Sequence, residues 1–208
     1  LQGIQQYLKQ HEDRIPQMLP EKMKQGNVIA QVIPSAPEQS SHVIYETIVS
    51  AIYAATYQIT ITTPYFVPDE PLLLALTSAA KRGVDVTLIV PAKVDSTMVH
   101  YASRAYYPML LESGVKLALF DGGLLHAKTM TIDDDYALFG TVNMDMRSFF
   151  LNLEISLAIY DHGMTQKIYD LQQSYLTDSQ YISADEWQQR SNWWFLVDTV
   201  VRLMSPLL

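Results

Sequence analysis

Between Gly83 and Pro91 the chain reads Val-Asp-Val-Thr-Leu-Ile-Val, a β-branched run closed at both ends by residues that stop regular structure. Such a run reads as a strand of a buried parallel sheet, and a parallel sheet requires helical crossovers. The flanking sequence supplies them. Val28–Ile33 is a strand ended by Pro34-Ser35-Ala36-Pro37, and Ser40 is placed to cap a helix running to about Thr56. Gln58–Thr63 is the next strand. Asp69 caps a helix over 70–82, and Gly83 closes it. A helix over 95–113 follows, with Pro108 set to kink or split it, then Gly114 and a strand over 115–120. The order β-α-β-α-β-α-β predicts an α/β fold with right-handed crossovers.

Beyond that sheet the pattern changes. His126-Ala127-Lys128-Thr129-Met130-Thr131-Ile132-Asp133 reads H-x-K-x4-D, and Gly140-Thr141-Val142-Asn143 follows. An extended chain projects residues two apart from one face, so an imidazole stands beside an ammonium. Asp133-Asp134-Asp135 forms a polar turn, Tyr136–Phe139 is the return strand, and the hairpin brings Asn143 back towards His126. This set suits a phosphate ester. The imidazole attacks phosphorus or protonates a leaving oxygen, while the ammonium and amide hold phosphoryl oxygens as charge builds.

With Glu154 eleven residues past Asn143, the pattern resembles the HKD motif of the phospholipase D superfamily. The segments T-P-Y-F-V-P, G-T-V-N-M-D-M-R-S, L-N-L-E and R-L-M-S-P-L-L resemble the C-terminal half of bacterial cardiolipin synthases. The likeness implies a phospholipase D-like repeat: a mixed, mostly parallel sheet flanked by helices, with further helices at the C-terminus. It divides the chain into a linker with a short helix (1–27), a catalytic domain (28–162) and C-terminal helices packed on it (163–208).

The resemblance also implies a reaction. Two phosphatidylglycerol molecules give cardiolipin and glycerol through a phosphohistidine, with no cofactor and no metal. His126 is the nucleophile or, on the reading preferred here, the general acid and base. Lys128 and Asn143 bind phosphoryl oxygens, Glu154 orients the imidazole, and Asp133 braces the motif, with Thr141 as its partner. Arg147 braces the loop or supports the phosphate, and Asp145 pairs with it. Tyr65 and Phe66 line a lipid pocket or anchor the core. In-line transfer needs groups on both faces of phosphorus, and one imidazole occupies one face. His11, His42, His100 and His162 lack a Lys and Asn frame and are read as solvated or locally bonded. His100 and Arg104 share a helix face, either solvated or turned to a headgroup. A second motif is therefore expected from an N-terminal half of the same polypeptide or from a twin subunit. The initial Leu1 favours the former.

Composition narrows the alternatives. A formal net charge of −8 and a pI near 5.0 argue against nucleic acid as a partner. The absence of cysteine excludes disulfides and thiolate chemistry. No run of 18 apolar residues exists to span a bilayer. The expected partners are phosphatidylglycerol and an anionic membrane surface. The expected location is the bacterial inner membrane, reached peripherally or through a preceding anchor. Trp193 and Trp194 either dock the last helix on the domain or sit at the bilayer interface. The competing readings are a phospholipase D-type hydrolase, a nuclease, and a non-catalytic half.

Overall fold

The computed structural model describes residues 26–37, 42–94 and 96–189. Eight strands form the main sheet: β1 (Ala30–Ser35), β2 (Gln58–Thr62), β4 (Asp85–Pro91), β5 (Lys116–Phe120), β6 (Thr129–Ile132), β7 (Tyr136–Gly140), β9 (Glu154–Tyr160) and β10 (Ser179–Ile182). Two short strands, β3 (Phe66–Val67) and β8 (Met144–Asp145), pair in parallel outside it. The helices are α1 (Val43–Ala54), α2 (Glu70–Lys81), α3 (Thr97–Arg104), α4 (Tyr107–Glu112), α5 (Met146–Phe150), α6 (His162–Thr177) and α7 (Ala184–Gln188).

The sheet order is β1-β9-β7-β6-β2-β4-β5-β10. Five of these strands (β1, β2, β4, β5 and β7) run one way, and β6, β9 and β10 run against them. Parallel hydrogen bonding joins β2 to β4 and β4 to β5; the other neighbours are antiparallel. The fold is thus α/β with a mixed sheet, and the parallel part is the β-branched stretch from which the sequence reading began. Side chains alternate across it. Val86, Leu88 and Val90 enter the core shared with Leu72, Leu76 and Ile48, whereas Ile89 joins Ala118, Phe120 and Leu125 beneath Tyr175 and Leu176 of α6. The sheet is covered by α1, α2 and α4 on one face and by α6 on the other.

The local signals explain the element ends. The Asp69 carboxylate accepts from Leu72 N at 3.1 Å, and Pro71 sits in the first turn of α2. Pro108 occupies the first turn of α4, so the long helix is two helices. The strand β10 lies within the 163–208 stretch expected to be helical. It is a half-exposed edge strand whose Ser-Gln-Tyr-Ile lacks apolar alternation, and its pairing with β5 creates it. The pair β3–β8 is too short for any periodicity to reveal. Ser40, the expected cap of α1, and Trp193 and Trp194 lie outside the described residues; His42 occupies the position before α1. His42 is not merely solvated. Its ring meets Phe150 edge-on at 4.6 Å.

Candidate active site

The spacing of His126 and Lys128 predicts that both stand on a strand. The structure places His126 and Lys128 just ahead of it, in an extended stretch that enters β6 at Thr129. Thr129 pairs with Thr62, the last residue of β2. The stretch therefore lies at the carboxyl ends of the parallel strands, where open α/β sheets bind ligands. The His126 side is exposed, and its ring makes no hydrogen bond among the described residues. Lys128 is half-buried and its Nζ donates to His126 O at 2.9 Å. Burial pushes the Lys128 ammonium below its usual range, while the carboxylates of Glu154 and Asp145 act against that shift. Lys128 is thus a half-buried cation with two carboxylates in its field.

The returning strand β7 is tied to this stretch by Gly140 N donating to Lys128 O at 3.2 Å. Gly140 has no room for a side chain: an added Cβ would stand 2.2 Å from Ile155 O and 2.6 Å from Ser156 Cα. Past it, Thr141 N donates to Ile155 O at 3.0 Å, and Ile155 N donates to Thr141 Oγ1 at 3.0 Å. Thr141 thus fixes the start of β9, where Glu154 stands. The Asn143 amide donates to Ser148 Oγ at 3.1 Å, and its Oδ1 is buried without a hydrogen-bond partner among the described residues. Thr63, fully buried after β2, donates to Tyr65 O at 2.8 Å and accepts from Met144 N at 3.3 Å. With the β3–β8 pair, this hydroxyl lays the Thr63–Pro68 loop beside the Asn143 segment. Phe66 is a core anchor at 1% exposed, while Tyr65 is half-buried at the site's edge.

Three expected arrangements differ. Asp133 is not beside His126. It terminates β6 at the other end, about 16 Å along an extended chain from Lys128, with φ of 49° in the hairpin turn. Its carboxylate accepts from Thr56 N, Thr56 Oγ1, Tyr57 N and Gln58 N at 2.7–3.0 Å. It is a brace, but its partner is the α1–β2 connection rather than Thr141. Burial works against its charge, and the hydrogen bonds from Tyr57, Gln58 and Thr56 outweigh it, holding the carboxyl below its usual range. Glu154 accepts from Asn152 Nδ2 at 3.2 Å rather than from the His126 ring. Asp145 does not pair with Arg147, which is exposed. The Asp145 carboxylate, 6% exposed, caps α5 by accepting from Ser148 N at 2.6 Å. Burial pushes its pKa up, against the hydrogen bonds of Ser148.

Asp145 is the group near the site that sequence reasoning misplaced. The signal was present: Asp three residues before Ser148 is an N-cap spacing. The other described histidines are engaged elsewhere, and His11 lies outside the described residues. The His100 ring lies 2.9 Å from an Arg104 nitrogen, Arg104 stacks on Trp187 at 4.9 Å, and His162 Nδ1 lies 3.1 Å from Asp134 O. Thus Arg104 of that face is turned to α7, and His100 is turned to Arg104. Among the described residues, no three His, Asp or Glu side chains gather as a metal site requires, and no helix is long and apolar enough to cross a membrane. A cavity of about 660 Å³, lined by α1, Asp133, Tyr136 and Tyr160, lies at the far end of β6, away from His126.

A family model described as "Cardiolipin synthase, PLD-like domain" matches residues 48–175. Cardiolipin synthase A of Serratia proteamaculans and that of Edwardsiella ictaluri are each 44% identical over 191 residues. The match takes in 92% of this chain but 39% of each relative, so the chain spans well under half their length. Among solved structures, the phospholipase D family member Nuc of Salmonella typhimurium superposes with a TM-score of 0.64 at 23% identity, covering 76% of this chain and 99% of that one. The phosphatidylserine synthase of Haemophilus influenzae superposes at 0.68 with 16% identity, covering 91% of this chain and 48% of the other. Both likenesses concern the fold.

Proposed function

The chain belongs to the cardiolipin synthase, phospholipase D-like domain family, and from that premise we propose that it supplies one half of a phosphatidyltransferase site. In this reading the reaction is a transesterification between two phosphatidylglycerol molecules. An imidazole nitrogen forms a bond to phosphorus as the bond to the headgroup glycerol oxygen breaks, and a second imidazole on the opposite face protonates that oxygen. The same group then takes the proton from the hydroxyl of a second phosphatidylglycerol, which attacks phosphorus and frees the first histidine. The products are cardiolipin and glycerol.

His126 is one of the two imidazoles, taken here as the acid and base. Lys128 and Asn143 hold the phosphoryl oxygens, and Glu154 turns to accept from the His126 ring when substrate is in place. Arg147 braces its loop, and Tyr65 faces the lipid. Asp133 keeps a structural part through Thr56–Gln58. The second imidazole comes from the part of the polypeptide that the relatives have beyond this match, and the assembled enzyme works at the inner membrane on an anionic lipid surface. The observation that carries the reading is the pairing of an exposed, unbonded His126 with a half-buried Lys128 at the carboxyl ends of the parallel strands.

The test is His126→Ala in the full-length protein, with cardiolipin measured by mass spectrometry and folding by circular dichroism. A folded variant that makes no cardiolipin is the expected result. A folded variant that keeps the wild-type rate would overturn the proposal, and cleavage of DNA by the wild-type protein in its place would redirect it to a nuclease.

A further inference from the structure

Gln172 is a fully buried amide in the middle of α6. A buried amide is costly unless its groups are hydrogen-bonded, and here they are. Its Oε1 accepts from Thr131 Oγ1 at 2.7 Å, and its Nε2 donates to Thr129 Oγ1 at 3.0 Å and to Thr60 O at 3.0 Å. Thr129 O lies 3.5 Å from the same nitrogen. All three threonines are buried. One helix side chain thereby joins β2 and β6 from below.

The place of that junction matters. Thr129 is bonded directly to Lys128, and Lys128 O receives the Gly140 N–H at the start of the Thr141–Asn143 segment. Elsewhere α6 meets the sheet through apolar contacts such as Ile168 with Ala137 and Ile159, and through one hydrogen bond at the far end of β2, where Gln58 Nε2 donates to Tyr169 Oη at 2.8 Å. Apolar contacts hold a helix on a sheet without fixing a strand along its length, because they are non-directional. Hydrogen bonds to two alternate threonines and one neighbouring carbonyl are directional and fix it. We propose that Gln172 is a positioning residue. It sets where the His126–Lys128 stretch enters the sheet, and so where the Lys128 ammonium stands against Asn143. The rate part of the test rests on the phosphatidyl-transfer reading above; the exchange part does not.

The experiment compares the full-length wild-type protein with Gln172→Leu, with the triple variant Gln172→Leu, Thr129→Val, Thr131→Val, and with Thr129→Val alone. Gln172→Leu leaves threonine hydroxyls buried without partners and lowers the melting temperature. The triple variant removes the side-chain partners together, which is close to neutral for stability. Four quantities are read: melting temperature, amide hydrogen exchange at Gly140, and kcat and KM for phosphatidyl transfer. The proposal expects the triple variant to melt near wild type, with Gly140 exchange and kcat each changed about tenfold or more and KM little altered. Recovery of melting temperature, exchange and kcat together would make Gln172 a structural residue only and overturn the proposal. Should the triple variant fail to fold, Thr129→Val decides: selective acceleration of Gly140 exchange supports the strut, and wild-type exchange refutes it. Absence of transfer by the wild-type protein would remove the functional reading and leave the exchange result standing.

Discussion

Replacing Gly140 by alanine tests how the His126 end of the sheet is closed. The added methyl group would lie 2.2 Å from Ile155 O and 2.6 Å from both Ser156 Cα and Ser156 Oγ, where ordinary contacts begin at 3.4 Å. Two of those three neighbours belong to or depend on backbone that cannot rotate away, so β9 must retreat by about 1 Å to restore normal contact. The Thr141 N to Ile155 O and Ile155 N to Thr141 Oγ1 bonds, both 3.0 Å, then pass the limit of hydrogen bonding. Overpacking costs about 1–3 kcal/mol, and two lost hydrogen bonds add about 1 kcal/mol each. The sum, about 3–5 kcal/mol, lowers the melting temperature of a chain this size by about 10 °C. Gly83→Ala is the control. Gly83 has φ of +92° with nothing within 4 Å of an added Cβ, so only backbone strain of about 1 kcal/mol applies. Thermal and urea unfolding of both variants measure the difference. A Gly140→Ala protein within about 1 kcal/mol of wild type, or less destabilised than Gly83→Ala, would refute the steric argument.

Other perturbations follow from the charges. Asp133 has a depressed carboxyl pKa, so its stabilising share is present above the unfolded value of 3.8 and is lost as pH falls through the lower folded value. Asp133→Ala removes that acid-side slope and costs about 2 kcal/mol in hydrogen bonds, read by urea titration across pH. Asp145 has a raised pKa, so its share is greatest below 3.8 and is lost as pH rises through the folded value. Asp145→Asn keeps a cap acceptor for Ser148 N and flattens that opposite slope, with stability at neutral pH equal to or above wild type. Lys128 loses its charge below the ordinary lysine value of 10.5, so the alkaline limb of transfer activity begins below that pH; Lys128→Arg moves the limb out of range. His126→Ala leaves the unfolding free energy within about 0.5 kcal/mol of wild type, because an exposed and unbonded ring contributes no packing.

The readable parts of this fold were those whose signals are local. Val84–Val90 declared itself by β-branching, Asp69 by its capping position, and Pro108 by breaking a helix. The H-x-K spacing marked the candidate site because two residues of an extended chain share a face whatever lies around them. What stayed hidden depends on partners distant in sequence. Asp133 looks like a member of the site on the page because it lies five residues from Lys128, yet an extended strand carries it to the opposite end of the sheet. Its hydrogen-bond partners, Thr56–Gln58, precede it by more than seventy residues. Asp145 and Arg147 stand two apart and of opposite sign, which suggests a pair; burial of Asp145 and a backbone N–H in reach decide otherwise. Gln172 reads as one more polar residue of an amphipathic helix until three threonines are seen beneath it.

The small β3–β8 ladder has a consequence for the order in which the molecule is made. It joins loops whose tie, Met144 N to Thr63 Oγ1, spans 81 residues. Closing a free loop of that length costs about 4 kcal/mol, more than a two-residue ladder and one hydroxyl return. The pair therefore forms only once β2, β6 and β7 have already brought the ends together. This corner of the molecule therefore closes after the strands that carry it, and it inherits its shape from a core already in place.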